Sequence, residues 1–375
     1  MPELHPADLA RIPYVDGILT AEEVAESAAG IAAMQEPSGA VPWTVGEHVD
    51  IWNHVEAAMA MLVGGQVEAA ERAYAWIPMT QRADGSWPMK IVAGEADDER
   101  GEVNMSAYFA VGVWHHWLVR RDIRFVERYW PSVRAALDWV VSQQLPFGGI
   151  RYTPSEEFAL LTGSSSIYQS LRAGVALADL MDDPQPEWEI VGGRLGHALR
   201  HHRDSFEDKS HHSMDWYYPV LGGAVVGADG HDLIESRWDH FVRPGLGALC
   251  VDTNPWVTGA ETCELAMALD NIGDHRRALR LLTEMQHMRA DDGGYWTGWV
   301  YESPDYPNPN PNAYWPEEHS TFTAAAVILA ADALGERYGG STPGSAIMRG
   351  TSLAAPFEEL ALECGCETSS AGIPG

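Results

Sequence analysis

Basic side chains are scarce in this sequence. Its 375 residues include 24 lysines and arginines against 54 acidic residues, which gives a formal net charge of −30. A surface this negative repels phosphate backbones and anionic lipid headgroups, so we expect neither a nucleic-acid partner nor a membrane-surface role. Long apolar runs are also lacking, because the most hydrophobic segment, 321–334, is interrupted by Asp332 and is too short to span a bilayer.

Cysteines are few, and a targeting signal is missing. The four cysteines, at positions 250, 263, 364 and 366, fit neither a disulfide scaffold nor a four-ligand zinc pattern. We therefore expect Cys250 and Cys263 to be core thiols and predict no metal. Segment 1–20 has no basic start followed by an apolar run, so a soluble cytoplasmic protein is expected.

Helical periodicity dominates the sequence, whereas strand-like alternation is scarce. Amphipathic segments alternate strictly with segments that are apolar on nearly all sides, and a helix of the second kind must be surrounded by other helices. The expected half-exposed outer helices are 21–35, 66–81, 124–144, 187–203, 233–242 and 275–287. The expected buried inner helices are 50–63, 104–119, 165–180, 215–226, 261–272 and 319–334.

The spacing of the inner helices predicts the fold. Their starts recur at roughly 50-residue intervals, as in stacked helical hairpins. Six hairpins closed into a ring form an all-α (α/α)6 toroid. An open solenoid would alternate in the same way, but its repeats are more uniform and lack the long polar connections found here. We predict one catalytic domain over 1–338 and an irregular C-terminal extension over 339–375, where the sequence turns to Gly, Ser, Thr and Pro.

Acidic residues collect where the inner helices begin. In a toroid all six of these N-termini open on one rim, so acids that are distant in sequence would converge there. Asp50 and Glu261 are the predicted catalytic pair. The supporting acids are Glu47, Asp215, Glu264 and Glu318. Helix capping is the competing interpretation; it suits Asn104, Ser165 and Asp215 better than Asp50 or Glu261.

Aromatic and polar residues accompany these acids. Tryptophan and tyrosine beside carboxylates suit neutral sugars, whose apolar faces stack on rings while their hydroxyls bond to acids. The other interpretation of these rings is core filling. The predicted substrate-binding residues are Trp43, Trp52, His54, Trp87, Asn104, Ser165, Trp216, Tyr217, Trp256, Trp296, Trp315 and His319.

Paired carboxyls next to aromatics indicate glycoside hydrolysis, which needs an acid for the leaving oxygen and a base or nucleophile on the opposite side of the bond. A wide ring leaves room for a water molecule, which favours inversion, with the carboxyls ~6.5 to 9.5 Å apart. Which carboxyl is the acid stays open. Adjacent histidines such as His201 and His202 point about 100° apart on a helix and are poor metal sites.

Two alternative functions stay open at this stage. Segment 71–87, with its Gln81-Arg-Ala-Asp-Gly-Ser-Trp87 run, resembles the Gln/Trp repeat of squalene cyclases and protein prenyltransferases. That resemblance suits the toroid, but the cyclases' Asp-x-Asp-Asp proton donor and the prenyltransferases' zinc ligands are not found. A terpene or prenyl-group enzyme is therefore one alternative, and a non-catalytic glycan-binding toroid is the other.

A closer resemblance covers nearly the whole predicted toroid. Segments 50–59, 160–167, 213–221, 255–265 and 294–298 resemble an actinobacterial family of methylmannose polysaccharide hydrolases, often labelled prenyltransferases. The resemblance implies an (α/α)6 endomannanase that cuts α-1,4 links in intracellular 3-O-methylmannose polysaccharide. It places Asp50 and Glu261 in the catalytic funnel, with Glu47 close by. It implies no cofactor and a neutral polysaccharide as partner; a homodimer stays open.

Overall fold

The structure, a computed structural model, describes residues 12–304, 310–348, 350, 353 and 355–360. Two sets of helices alternate along the chain, as the periodicity predicts. The outer helices are α1 (Ala21–Met34), α3 (Val67–Thr80), α6 (Ile123–Val141), α8 (Pro186–His201), α10 (Gly227–Phe241) and α12 (His275–Glu284). The inner helices are α2 (Ile51–Val63), α5 (Phe109–Arg120), α7 (Leu161–Leu180), α9 (Ser213–Leu221), α11 (Gly259–Asn271) and α13 (Thr321–Tyr338), and the short helix α4 (Val103–Ala107) precedes α5.

The inner helices form a closed ring. Each contacts the next, from α2 through α5, α7, α9 and α11 to α13, and α13 contacts α2. Burial follows the sequence pattern: α13 buries every residue from 321 to 335, whereas α12 buries only Ala278, Leu281 and Leu282. The closed ring confirms the (α/α)6 toroid and excludes the open solenoid.

One glycine allows a close approach within the ring. A Cβ built on Gly112 of α5 would lie 2.6 Å from Cγ1 of Val55 on α2 and 3.1 Å from the Tyr74 ring on α3. The Tyr74 hydroxyl donates to the Gly112 carbonyl at 2.9 Å. The absent side chain therefore lets one outer and two inner helices pack against each other.

Short strands link the helices. Strands β4 (Val242–Arg243), β5 (Gly247–Leu249), β6 (Trp256–Thr258), β7 (Gly298–Val300) and β8 (Ala313–Tyr314) form an antiparallel sheet in that order. Strands β2 (Lys90–Val92) and β3 (Glu95–Asp98) form a hairpin, and β1 (Tyr14–Val15) pairs with β9 (Gly339–Gly340). Strands of two to four residues are too short to show an alternating pattern, so the sequence analysis missed the sheet.

The chain beyond α13 remains in contact with the helical layers. A short 3-10 helix, Pro343–Ile347, packs on α5. Residues 355–360 have no regular secondary structure and lie against α8, and Phe357 also packs edge-on, at 5.5 Å, against the ring of Tyr168 on α7. Cys364 and Cys366 lie outside the described residues. Within the described part of the chain, no helix combines the length and apolarity needed to cross a bilayer.

Candidate active site

The N-terminal ends of neighbouring inner helices lie side by side on one rim of the ring. The amide of Thr321, at the start of α13, donates to the carbonyl of Trp43 at 2.9 Å. The amide of Ser213, at the start of α9, donates at 2.9 Å to the carbonyl of Cys250, in the connection that leads to α11. The predicted convergence of distant segments is therefore observed, and side chains from these ends can share one site.

Asp50 lies at the start of α2, where it has two roles. Its Oδ1 accepts from the Asn53 amide at 2.9 Å, so Asp50 caps the helix, a role that its sequence context favours less than that of Asn104 or Ser165. Its Oδ2 accepts from Asn53 Nδ2 at 2.5 Å and lies 3.7 Å from His48 Nε2. The side chain is 3% exposed, and this burial raises the pKa of Asp50. Capping therefore does not remove Asp50 from the candidate acids.

Glu261 and Glu264 lie three residues apart on α11, and both are buried. The hydroxyls of Tyr217 and Tyr218 on α9 both donate to Glu264, the second at 2.6 Å. Burial, and then the charges of nearby acids including Glu261, raise the pKa of Glu264 well above its usual range. Cys263 is buried as predicted, whereas Cys250, the other expected core thiol, is only half-buried because it lies in the connection between β5 and β6.

Sequence reasoning missed Glu56, one turn along α2 from Trp52. Its Oε1 accepts from Trp52 Nε1 and from the Tyr108 hydroxyl, each at 3.0 Å. Burial raises the pKa of Glu56 to about 7. The available signal was that Glu56 is the one acidic residue in the mostly apolar segment 51–63.

Sequence reasoning also left Glu102 out of the candidate acids. Glu102, and not Asn104, caps α4, accepting from the Met105 amide at 2.6 Å. Burial raises its pKa to about 8, and the charge of Asp50 adds to the effect. Asn104 is also buried, and its Oδ1 has no hydrogen-bond partner among the described residues.

These acids form one buried cluster, which we call the carboxyl cluster: Asp50, Glu56, Glu102, Glu261 and Glu264. The charge of Asp50 raises the pKa of both Glu56 and Glu102, and the charge of Glu56 raises that of Glu264. No ion pair joins any of the five to an arginine or lysine in the described part of the chain. With pKa values raised by burial to about 7 and about 8, Glu56 and Glu102 hold protons near neutral pH, which is the property that a general acid requires.

Aromatic rings surround the carboxyl cluster. The half-buried Trp52 ring lies 5.8 Å from the Tyr108 ring and 5.8 Å from the Tyr218 ring. Trp43 stacks on His48 at 6.2 Å, and its Nε1 donates to Glu318 at 2.8 Å. Tyr217 is fully buried, and its hydroxyl donates to Glu264, so it contacts an acid and not solvent.

A second aromatic group lies along the five-stranded sheet. Trp296 stacks on Tyr314 at 4.9 Å and contacts the His319 ring edge-on at 4.2 Å. Trp256 Nε1 donates to the carbonyl of Trp315 at 2.7 Å, and the exposed fraction of Trp315 is 56%. A large exposed indole next to a second indole offers a flat apolar surface of the kind on which a sugar ring stacks.

Several predicted site residues lie elsewhere. Glu47 is exposed in the loop before α2. Asp215 accepts from Thr162 Oγ1 at 2.6 Å and lines a separate surface cavity of about 380 Å³ that also contains Arg203 and Lys209. Burial raises the pKa of Asp215, and the charge of Asp208 raises it further. Asp208 lies outside the carboxyl cluster.

Four predicted binding residues are structural. Trp87 and Trp216 are almost fully buried and donate to the carbonyls of Ile77 and Leu233. His54 joins α2 to α3 through the carbonyl of Ala73, and burial lowers its pKa to about 4. Ser165 lies inside α7, where its hydroxyl donates to the Leu161 carbonyl, so the capping role predicted for it is wrong. For these four, packing and hydrogen bonding between helices explain the residue type.

Comparison with known proteins gives one strong relative. The chain is 50% identical over 366 residues to the MMP endo-(1,4)-3-O-methyl-alpha-D-mannosidase of Mycolicibacterium hassiacum, and the match covers 96% of this chain and 98% of that protein. No protein-family model matches the chain.

Several solved structures with a similar fold are glycosidases. A wild-type glycosidase matches with a TM-score of 0.60 at 15% identity, covering 93% of this chain and 99% of its own. The GH63 mannosylglycerate hydrolase of Thermus thermophilus, solved with Tris and D-glycerate, matches with a TM-score of 0.61 at 12% identity, covering 82% and 99%. A rhamnosidase from Klebsiella oxytoca with bound rhamnose matches with a TM-score of 0.56 at 12% identity, covering 84% and 65%. At these identities the likeness concerns the fold.

Proposed function

The chain belongs to the family of the endo-acting 3-O-methylmannosidase that it matches, and we propose that it cleaves α-1,4 links inside 3-O-methylmannose polysaccharide with Asp50 and Glu261 as the catalytic pair. It is a glycoside hydrolase. The terpene or prenyl-group alternative is not supported, because the relative is named as a mannosidase and the similar structures are glycosidases.

The observation that carries the proposal is the carboxyl cluster. Glycoside hydrolysis requires two carboxyls, at least one of them protonated near neutral pH. Asp50 and Glu261 stand at the beginnings of the first and fifth inner helices, next to further buried acids and tyrosines. Asp50 is 3% and Glu261 8% exposed, so both are shielded from bulk water, yet they lie on the rim that the substrate would approach.

The remaining members of the carboxyl cluster support this pair. Glu56 accepts from Trp52 on its own helix and from the Tyr108 hydroxyl, and Glu264 accepts from two tyrosine hydroxyls on α9, so the positions of both carboxyls are fixed. Glu102 is the third acid at the rim. Its raised pKa keeps it protonated, and it adds a neutral hydrogen-bonding group beside Asp50.

The test is the loss of hydrolysis in isosteric variants. We expect Asp50→Asn and Glu261→Gln each to lower the rate of chain cleavage by about 10² to 10⁴-fold, because each removes an acid or base from the reaction. Product release from purified methylmannose polysaccharide would be followed by thin-layer chromatography. The exposed Glu68→Gln on α3 is the matched control and should keep the wild-type rate. If both Asp50→Asn and Glu261→Gln cleave at that rate, the assigned pair is wrong.

Inversion is the expected stereochemistry, because a wide ring accommodates a water molecule between the carboxyls. Proton NMR of the first minutes of digestion should show the β anomer of the new reducing end before mutarotation mixes the two forms. An initial α product would instead require a covalent intermediate and a nucleophilic carboxylate.

The same purified polysaccharide distinguishes an enzyme from a non-catalytic glycan-binding toroid. A non-catalytic toroid would bind the polysaccharide in a calorimeter and release no product over days. The proposed location is the cytoplasm, which fractionation of cells would test. The oligomeric state, with a homodimer as the proposed assembly, would be measured by light scattering of the full chain.

A further inference from the structure

The C-terminal segment 355–360, which we call the tail segment, lies in a groove that glycines create on α8. A Cβ on Gly192 would lie 2.3 Å from the Phe357 ring, and a Cβ on Gly193 would lie 2.4 Å from the Glu358 carbonyl. The Leu360 amide donates to the Gly193 carbonyl at 3.4 Å. The contact therefore depends on the absence of side chains at two consecutive positions of an outer helix.

One turn further along α8, Glu359 meets two histidines. His197 and His201 are four residues apart, so they project from the same face of the helix. His197 Nδ1 lies 3.2 Å and His201 Nε2 lies 3.0 Å from the same oxygen, Oε2 of Glu359. The three candidate ligand atoms all lie within 4.8 Å of one another. In a tetrahedral zinc site with bonds of about 2.0 to 2.1 Å, neighbouring ligand atoms stand roughly 3.3 to 3.4 Å apart. The distances of 3.2 and 3.0 Å from the two histidine nitrogens to Oε2 are close to that spacing.

The surrounding groups hold these ligands in position. Arg200 Nη1 donates to the other carboxylate oxygen of Glu359 at 3.0 Å, so Oε2 is the oxygen turned toward the histidines. His197 Nε2 lies 3.3 Å from Nε2 of His202. When His197 Nε2 carries the proton of that hydrogen bond, Nδ1 carries the lone pair that faces Glu359. Such outer contacts fix the tautomer and the ring orientation of metal-binding histidines.

A cavity adjoins the cluster on its solvent side. It measures about 600 Å³ and is lined by His201, Arg203, Asp229 and Glu359, among others. A cavity of this size admits an ion with its waters, so a water molecule can complete the four ligands of a zinc site.

We propose that His197, His201 and Glu359 bind one divalent transition-metal ion of the zinc type, and that this ion fastens the tail segment to α8. Two neutral imidazoles and one carboxylate are a ligand set typical of zinc and its neighbours in the first transition row, and not of magnesium or calcium. The proposal departs from the sequence-based expectation of no metal. That expectation considered adjacent histidines, whereas the fold pairs histidines four apart with an acid 158 residues beyond His201. Its location on an outer helix makes the ion structural and independent of the carboxyl cluster.

The test is a calorimetric titration of the chelator-treated full chain with Zn²⁺ alone. The expected result is one site per chain, with affinity lowered at least ~10-fold by His201→Asn and by Glu359→Gln, because each removes a ligand. The matched controls are His211→Asn, the exposed member of an adjacent histidine pair, and Glu358→Gln, one residue from the ligand; both should keep the wild-type affinity. Substitution with Co²⁺ should give the strong visible absorption of a tetrahedral site, and this absorption should disappear in the same two ligand variants.

Hydrogen exchange provides the readout for the tail segment. Amides of 355–360 should exchange more slowly with Zn²⁺ than without it in the wild type, and equally in both conditions in Glu359→Gln. The proposal is overturned if Zn²⁺ does not bind. It is also overturned if the ligand variants bind as tightly as the wild type, or if His211→Asn abolishes binding while His201→Asn retains it.

Discussion

A single buried acid, Glu102, makes a measurable contribution to how stability depends on pH. Burial raises its pKa in the folded chain to about 8, whereas the usual value for glutamate is 4.5. A group whose folded pKa is raised stabilises the fold below its unfolded pKa, and this contribution is lost as the pH rises through the folded pKa. Between pH 4.5 and pH 8, Glu102 therefore costs the fold a growing amount of free energy.

Glu102→Gln should remove that dependence while keeping an oxygen for the Met105 amide. As the pH rises from about 4.5 to about 8, we expect the variant to gain on the order of 5 kcal/mol of unfolding free energy relative to the wild type. Urea unfolding at four or five pH values measures it, and Glu68→Gln on the surface of α3 is the control. A difference between Glu102→Gln and wild type that stays constant with pH would mean that Glu102 is charged in the folded state.

Residues such as Glu56 show where sequence reasoning ends. Asp50, Glu261 and Glu264 were predictable because they stand near helix starts, beside other polar residues. Glu56 looks like an ordinary charge within a helix until the ring brings Trp52 and Tyr108 to its carboxyl. Trp87 and Trp216 show the opposite case: they were predicted to bind substrate but are almost fully buried. A tryptophan on the surface and one in the core look alike in a sequence. Partners that are distant along the chain decide both cases.

At the scale of helices, one type of substitution should have opposite effects at two glycines. Gly112→Ala places a methyl group 2.6 Å from Val55 at the contact of two inner helices, so we expect a loss of about 1 to 3 kcal/mol of unfolding free energy. Gly30→Ala on the outer helix α1 meets nothing within 4 Å, so the better helix propensity of alanine should add about 0.5 to 1 kcal/mol. Urea unfolding measures both, and a gain at Gly112 would contradict the close approach described above.

Helix type and order were predictable at this scale, but helix boundaries and strands were not. Each inner helix can be identified by its apolar residues on all sides, because the neighbouring helices of the ring bury every face of it. The predicted helix 104–119 is divided at Tyr108 into α4 and α5, and the predicted helix 215–226 ends at Leu221. The sheet that carries Trp256 and Tyr314 is joined at its centre by a pairing between segments far apart along the chain, that of Trp256 with Val300. Local periodicity contains no information about such pairings.

For the whole molecule, the charge of −30 has two consequences that act at different depths. A few acids form the buried carboxyl cluster, where burial raises the pKa values of Asp50, Glu56, Glu102 and Glu264. Most of the other acids lie on the outer layer, where they repel each other. Along the whole chain, 54 acidic residues stand against 24 basic ones. Self-repulsion of this kind destabilises a compact state and is screened by salt, whose Debye length falls from about 30 Å at 0.01 M to about 3 Å at 1 M.

Raising NaCl from about 10 mM to about 0.5 M at pH 8 should therefore raise the midpoint of thermal unfolding, by about 1 to 3 °C for a chain of this size. At about pH 5.5 the rise should be smaller, because exposed histidines gain charge and reduce the acidic excess. His54, His115 and His116 do not take part, since burial lowers their pKa values to about 4, 3 and 4. Scanning calorimetry at both pH values measures the effect. A midpoint that falls with salt at pH 8 would mean that the surface ion pairs, such as Arg277 with Glu235, stabilise the fold more than the acidic excess destabilises it.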